Sequence, residues 1–275
     1  MLQISELYIY PIKSLSGIAI KSAKITDRGF ENDRRWLLVD SENRFLTQRE
    51  HPQMALLQQA IENNVLKVIH KVNKQSFSIS INNPSTGSKV SVTIWDDICE
   101  AEFVSDEADR WFSAMLGLNC RLVYMPDDTQ RIVDQRYAPE NSVTSFSDAY
   151  PFLIIGQASL DDLNNRLAET LPMNRFRPNI VFTGGEPYDE DLYGHFTIGD
   201  INFYGVKLCA RCVLTTIDQE TAKKGKEPLK KLASYRFKNN KILFGQNLIH
   251  NGFGQISIGH ELIVLTKHNE ERFVV

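Results

Sequence analysis

Phe77-Ser-Ile-Ser-Ile81 and Lys89-Val-Ser-Val-Thr-Ile94, parted by the turn formers Asn82-Asn-Pro84, alternate apolar and polar side chains. A period of two marks a strand with one face on a core. Working outward, Leu66-Lys-Val-Ile69, Arg35-Trp-Leu-Leu-Val39 and Leu7-Tyr-Ile-Tyr10 are further short runs, with Asn63-Asn64 as another break. Short strands between turn signals predict a small barrel or sandwich. Asp106-Glu-Ala-Asp-Arg-Trp-Phe-Ser-Ala-Met-Leu116 departs from this pattern. Ser105 or Asp106 is placed to cap it, Trp111, Met115 and Leu116 share a face, and Gly117 follows, so a helix is predicted.

Toward the C-terminus, Pro126-Asp-Asp-Thr-Gln-Arg-Ile-Val-Asp-Gln-Arg136 is polar and irregular, and Pro139-Glu-Asn-Ser142 continues it. The domain connection is expected within 126–145, dividing the chain into residues 1–125 and 126–275. Ala158–Leu167 predicts a second helix, with Ser159 as cap and leucines at 160, 163 and 167. Strands are expected at Asn179–Phe182, Phe196–Ile198, Ile201–Tyr204, Val213–Ile217 and Glu261–Leu265, with a short helix over Pro228–Arg236. The expected class is α+β, mostly β, with peripheral helices.

The 275 residues suffice for one large or two modest domains. A hydrophobic share of 42% and a charged share of 24% are ordinary for a globular protein. A net charge of -3 argues against nucleic-acid binding, which calls for a clustered basic surface. Met1-Leu-Gln-Ile-Ser-Glu-Leu7 has no basic region followed by an apolar core, and no run of about 18 apolar residues exists to span a membrane. Four cysteines in a chain this long are not a disulfide framework, so a cytoplasmic protein with reduced thiols is expected.

Two of those cysteines lie together in Val206-Lys-Leu-Cys-Ala-Arg-Cys-Val-Leu-Thr-Thr-Ile-Asp218. A thiolate there can ligate a metal or attack an electrophile, and a neighbouring guanidinium favours the thiolate form. The spacing leaves three readings open. A thioredoxin-like redox pair belongs in a βαβ setting, whereas a strand follows here. A zinc site needs four ligands, but Cys99 and Cys120 are distant and His250 and His260 lack paired spacing. The third reading is two buried thiols packed as small hydrophobes.

The surrounding motifs add to this. Tyr8-Ile-Tyr-Pro-Ile-Lys-Ser14, Asp33-Arg-Arg-Trp-Leu-Leu-Val39, Phe45-Leu-Thr-Gln-Arg49, Phe176-Arg-Pro-Asn-Ile180, the cysteine run, Lys226-Glu-Pro-Leu229 and Phe244-Gly-Gln246 occur in this order. The order resembles the MOSC-domain family in its two-part form. It looks closest to the mitochondrial amidoxime-reducing component and to bacterial reductases of N-hydroxylated bases. The resemblance spans nearly the whole chain and implies a β-barrel MOSC domain packed against an N-terminal β-rich, barrel-like domain.

It further implies a molybdenum cofactor (molybdenum held by molybdopterin) with Cys212 as the thiolate ligand and catalytic residue. Cys209 is then a neighbour. Lys13, Ser14 and Arg34 suit the cofactor's phosphate, since lysine binds phosphate as a point charge and arginine as a fork. Arg177 and Asn179 match positions that read the pterin edge. Arg211 stands ready to neutralise charge beside the ligand. Ser147 and Asp148 occupy a loop that touches the cofactor in relatives, on a looser match. The implied reaction is reduction of small N-hydroxylated molecules such as hydroxylaminopurines, amidoximes and hydroxylamines. Two electrons and two protons arrive from outside, and water leaves.

The chain lacks the extra cysteines of an iron–sulfur domain. Electrons are therefore expected from a separate ferredoxin-, flavodoxin- or flavin-reductase-like protein. The mitochondrial relatives carry an anchor and targeting segment that is not seen here, so neither membrane nor nucleic acid is expected as a partner. The alternative is a non-catalytic carrier or sulfur-transfer protein for the cofactor; a thiol redox protein is a third reading. His195 and His260 are read as packed or solvated. Lys223-Lys-Gly-Lys-Glu-Pro-Leu-Lys-Lys231 reads either as a solvated face or as a docking patch for an acidic electron donor.

Overall fold

The computed structural model describes residues 1–138 and 141–268. Pro139 and Glu140, which belong to the expected domain connection, lie outside the described residues, as do residues 269–275.

Seven strands close into a barrel. In order around it they are Phe152–Gly156, Ile180–Thr183, Leu2–Ile9, Glu261–Lys267, Tyr193–Ile198, Ile201–Ala210 and Lys241–Asn251, and the last pairs back onto the first. Phe152–Gly156 and Ile180–Thr183 run parallel, with Ile154 opposite Ile180. A parallel pair needs a crossover, and the helix Gln157–Asn165 makes it. The other pairings in the ring are antiparallel.

Alternate residues of these strands fill the interior. Phe196 and Phe203 stack at 5.7 Å, and Phe152 meets Phe203 edge-on at 5.5 Å. Ile4, Ile154, Ile180, Ile198, Leu248 and Leu262 complete this core. Gly205 lets two barrel strands approach closely: a methyl group there would lie 2.1 Å from the Tyr193 carbonyl oxygen.

The first half adds a four-stranded sheet, ordered Trp36–Val39, Arg121–Tyr124, Asp97–Phe103 and Lys89–Ile94, and a meander of Leu57–Glu62, Val65–His70 and Ser76–Ser80. The helix Asp106–Leu116 starts as expected at Ser105, whose hydroxyl accepts from Ala108 N at 3.1 Å, and stops at Gly117 with φ 67°. It buries Ala108, Phe112 and Leu116 against Trp36, Leu38, Leu57, Leu66 and Val68. The two halves are interleaved, because Leu2–Ile9 is a barrel strand and Ser22–Thr26 pairs with Gly254–Ser257.

Two local expectations are corrected. Val213–Thr216 is a 3₁₀ turn, not a strand. The Thr215 and Thr216 hydroxyls donate back to the carbonyls of Cys212 (3.0 Å) and Val213 (2.7 Å), and these bonds hold the tight turn against the β-branched preference for a strand. Ser159 does not cap its helix, which starts at Gln157 after Gly156. Its hydroxyl instead donates to Glu190 at 2.8 Å and accepts from Tyr188 N. Among the described residues, no helix is long and apolar enough to cross a membrane.

Candidate functional site

A cleft opens where the barrel meets the first half of the chain, and every site residue expected from the sequence lines it: Lys13, Ser14, Arg34, Ser147, Asp148, Arg177, Asn179, Arg211 and Cys212. Long-range pairing gathers them. Lys13 and Ser14 follow the barrel strand Leu2–Ile9, Arg177 and Asn179 precede Ile180–Thr183, and Cys209 and Arg211 stand at the end of Ile201–Ala210. The 3₁₀ turn swings Cys212 into the wall.

The basic groups are held rigidly. Lys13 Nζ donates to Phe146 O at 2.8 Å and to Asp148 Oδ1 at 2.6 Å. Arg34 pairs with Asp33 and donates to Asn179 Oδ1 at 2.8 Å. The Asn179 amide in turn donates to Asp33 (3.0 Å) and Tyr8 O (3.2 Å), so this asparagine fixes Arg34 from beneath. The guanidiniums of Arg34 and Arg177 lie 4.4 and 4.3 Å from the Tyr10 ring centroid. Arg177 also donates to Leu15 O at 2.7 Å. Ser147 is bound to Thr144 and carries Arg131 on its carbonyl.

Three cleft residues take left-handed backbone without being glycine: Ser14 at φ 66°, Arg34 at 50° and Arg177 at 56°. Trp95, at the rim, has φ 55°. Each such residue costs on the order of 1–3 kcal/mol, and strain of this kind clusters where a ligand is clamped.

Arg49 is a cleft residue that sequence reasoning left without a role. Its Nε donates to Cys212 Sγ at 3.0 Å, its Nη2 reaches Asp148 at 3.3 Å, and its guanidinium lies 4.3 Å from the Trp95 ring centroid. Phe45-Leu-Thr-Gln-Arg49 was visible as a motif, but nothing in its spacing points to a cysteine 163 positions away. Arg211 serves the other cysteine, with Nη1 3.0 Å from Cys209 Sγ and Nη2 2.5 Å from Phe176 O. Cys209 otherwise packs against the cluster around Phe176 and Phe244. His195 is bonded to Asn202 and stacked on Tyr204; neither it nor His260 lines the cleft.

The electrostatics are unbalanced. The wall holds Lys13, Arg34, Arg49, Arg177 and Arg211 against Asp148 as the lining carboxylate, with Asp33 behind Arg34. Burial pulls the Lys13 ammonium down to about 8, although Asp148 opposes it. Burial likewise pulls the Arg177 guanidinium down to about 10. Asp148 keeps 58% of its side-chain surface open to solvent. Desolvation by the walls works to raise its carboxyl, but Lys13 and Arg49 overcome it and hold the group well below the usual carboxylate range. Arg211 Nε is buried without a partner. Cations crowded in a cleft with an unmet donor fit an anionic, hydrogen-bond-accepting ligand, and the thiol of Cys212 offers a soft metal ligand beside it.

Comparison with known proteins agrees. Residues 1–119 match the model of the MOSC N-terminal beta barrel domain, and residues 141–263 match that of the MOSC domain. Mitochondrial amidoxime-reducing component 1 of Mus musculus is 32% identical, covering 95% of this chain and 82% of its own. Mitochondrial amidoxime reducing component 2 of Rattus norvegicus is 32% identical, over 93% and 81%. The molybdenum cofactor sulfurase of Oryza sativa subsp. japonica is 31% identical over 89% of this chain, which spans 32% of that longer protein. With an N-terminal MOSC barrel domain and a MOSC domain in tandem, and such identity across most of its length, this chain belongs to the MOSC-domain family that includes the mitochondrial amidoxime-reducing components.

Proposed function

We propose that the protein is a reductase of N-hydroxylated compounds that works through a molybdenum cofactor, with Cys212 as the protein ligand to the metal. The observation that carries this reading is the Cys212 sulfur, hydrogen-bonded to Arg49, in a cleft whose described lining holds five cations against one carboxylate, with Cys209 nearby on Arg211. Among the described residues, no three histidine, cysteine, aspartate or glutamate side chains converge on one point. Cys212 would therefore ligate a metal that arrives in its own anionic, polydentate carrier.

Lys13, Arg34 and Arg177 would hold the carrier's phosphate and polar edge, and the unpaired Nε of Arg211 would meet another acceptor. Arg49 steadies the sulfur with a charge-assisted hydrogen bond, and Trp95 and Asp148 hold Arg49 in place. When bound, the cofactor supplies two-electron removal of oxygen from an N–O bond. The protein orients it and shields it from bulk water. Amidoximes, hydroxylamines and hydroxylaminopurines are the proposed substrates, on the strength of the relatives' names and the resemblance. Electrons would come from a separate protein. The reading places the protein in the cytoplasm, in keeping with four free cysteines.

Expression in a host that makes the cofactor tests the proposal. The expected result is about one molybdenum per chain after dialysis and reduction of an N-hydroxylated base with reduced methyl viologen as donor. A second reading, a carrier or sulfur-transfer protein for the cofactor, is favoured by the match to the plant sulfurase. Molybdenum that exchanges within minutes, with no turnover, would select it instead.

A further inference from the structure

A second hollow lies behind the turn that carries Cys212. Arg175 and Thr216 form its floor, and Lys223, Lys224, Lys226 and Lys231 form one side. We infer that this hollow and the adjoining Lys230 are the docking surface for a small acidic electron-carrier protein. The inference rests on the reductase reading above.

Charge is the first argument. Residues 223–231 contain five lysines and one glutamate in a chain whose net charge is -3. The carboxylates close to them are committed elsewhere: Asp218 to Arg175 at 3.1 Å, Glu220 to Lys71 at 2.8 Å, and Glu227 to the backbone N–H of Lys231 at 2.8 Å. Glu169 is the remaining carboxylate of the wall. Lys24, Lys71 and Lys89 elsewhere on the surface each sit on a glutamate. The lysines of this patch have none among the described residues; Lys21, Lys67 and Lys74 also have none, but here five lie within nine residues. A field of uncompensated ammonium groups steers an acidic partner and suits a brief encounter better than a permanent interface.

Position is the second argument. Thr216 lines the hollow and Thr215 lines the cleft, so one turn of main chain separates them. Arg175 is built into that wall and donates to Thr215 O at 3.0 Å and Thr216 O at 3.2 Å. Lys224 Nζ donates to Arg49 O at 3.0 Å, and the same Arg49 touches Cys212 Sγ. Electron transfer weakens steeply with distance, so the entry surface must lie where the wall is thin. Another hollow, bounded by Tyr204, His250 and Phe253, also nears the cleft at Pro151, between the cleft residues Tyr150 and Phe152, but among the described residues no lysine or arginine lines it.

The reaction's balance is the third argument. Breaking the N–O bond of R–NHOH to give R–NH₂ and water consumes two electrons and two protons. Cys99 and Cys120 are buried apart from the cleft, and the described residues hold no metal-binding cluster of their own. On the reductase reading, these electrons are drawn from a second, redox-active protein.

The test uses holoenzyme with three acidic donors: a plant-type ferredoxin, a flavodoxin and an FMN-containing reductase domain, with reduced methyl viologen as the small reductant. Lys223, Lys226 and Lys230 are changed together to Gln; Lys21, Lys67 and Lys74, exposed elsewhere, form the control triple. The patch variant should need about tenfold more protein donor for half-maximal rate and lose most of its salt dependence. Its viologen rate should stay unchanged, and donor titration into resting enzyme should give the same loss of affinity without turnover. Equal shifts in both triples, no shift, equal loss with viologen, or failure of all three donors while viologen works would each overturn the docking surface. No viologen-driven turnover by the unmodified enzyme would instead sink the reductase reading.

Discussion

Two clusters of buried charge flank the barrel, and they answer desolvation in opposite ways. Around Asp191 the charges balance. Arg236 is paired with Asp191, donates to Leu243 O at 3.1 Å and lies 4.2 Å from the Tyr188 ring centroid. Glu190, fully buried, is pushed up to about 8, first by burial and then by Asp191, so it stays protonated near neutral pH. Around Cys212 the charges do not balance: among the described residues, five cations meet one lining carboxylate. Burying a charge is unfavourable unless it is matched. A cluster that matches itself serves the fold, and one left in surplus is shaped for a charge that comes from outside.

The comparison breaks most visibly at the sulfur. Cys212→Ser should lose bound molybdenum and all cofactor-dependent turnover while keeping its thermal midpoint, because a hydroxyl is a poor substitute for a thiolate ligand. Cys209→Ser should keep most of both. If the two variants exchange behaviours under metal analysis, Cys209 is the ligand. Arg236→Met should act on the other cluster, lowering unfolding free energy by about 3–5 kcal/mol by stranding Asp191, with cofactor affinity unchanged. A denaturant titration that moved by less than about 1 kcal/mol would mean that the Asp191–Arg236 pair does not hold the fold.

Arg177→Ala should reverse that pattern, and Arg34→Ala should weaken cofactor retention while also costing some stability, because it takes a partner from the buried Asp33. Each should weaken cofactor retention by about 1.5–3 kcal/mol, or 10- to 100-fold. Full molybdenum content in both after dialysis would falsify the anion-binding role. A further effect is gradual, a slope with pH. Glu190 has a folded-state value near 8, above its ordinary value of 4.5, so its contribution to stability is complete below about 4.5 and is lost as pH rises through 8. Unfolding free energy should fall with pH across that window by up to about 1.4 kcal/mol per unit, and Glu190→Gln should flatten the decline. An unchanged slope in that variant would mean that another group titrates.

The alternating runs at 77–81 and 89–94, and the capped helix ending at Gly117, were legible because their signals are local. The nine expected cleft residues converge because a resemblance carries long-range information that periodicity does not. What stayed hidden was tertiary. The hydroxyls of Thr215 and Thr216 turned a β-branched run into a 3₁₀ turn, and Ser159 left its helix cap for a buried glutamate. Arg49 escaped because its meaning comes from a contact with a sulfur far along the chain. The surplus of charge in the cleft was equally invisible, since it depends on which carboxylates the fold leaves out.

The interleaving of the halves also fixes an order of events during synthesis. The strand Leu2–Ile9 sits between Ile180–Thr183 and Glu261–Lys267, with Gln3 opposite Glu261. The first barrel strand to leave the ribosome therefore waits for the last, through a chain closure of more than 250 residues. Such non-local pairing is slow to form. Leu2–Ile9 can meet Ile180–Thr183 earlier, which sets Lys13 and Arg34 beside Arg177, but the ring stays open until the last strand arrives. Closure of the barrel around the cleft is thus a late event of folding, and a ligand meets the completed walls only once that closure is made.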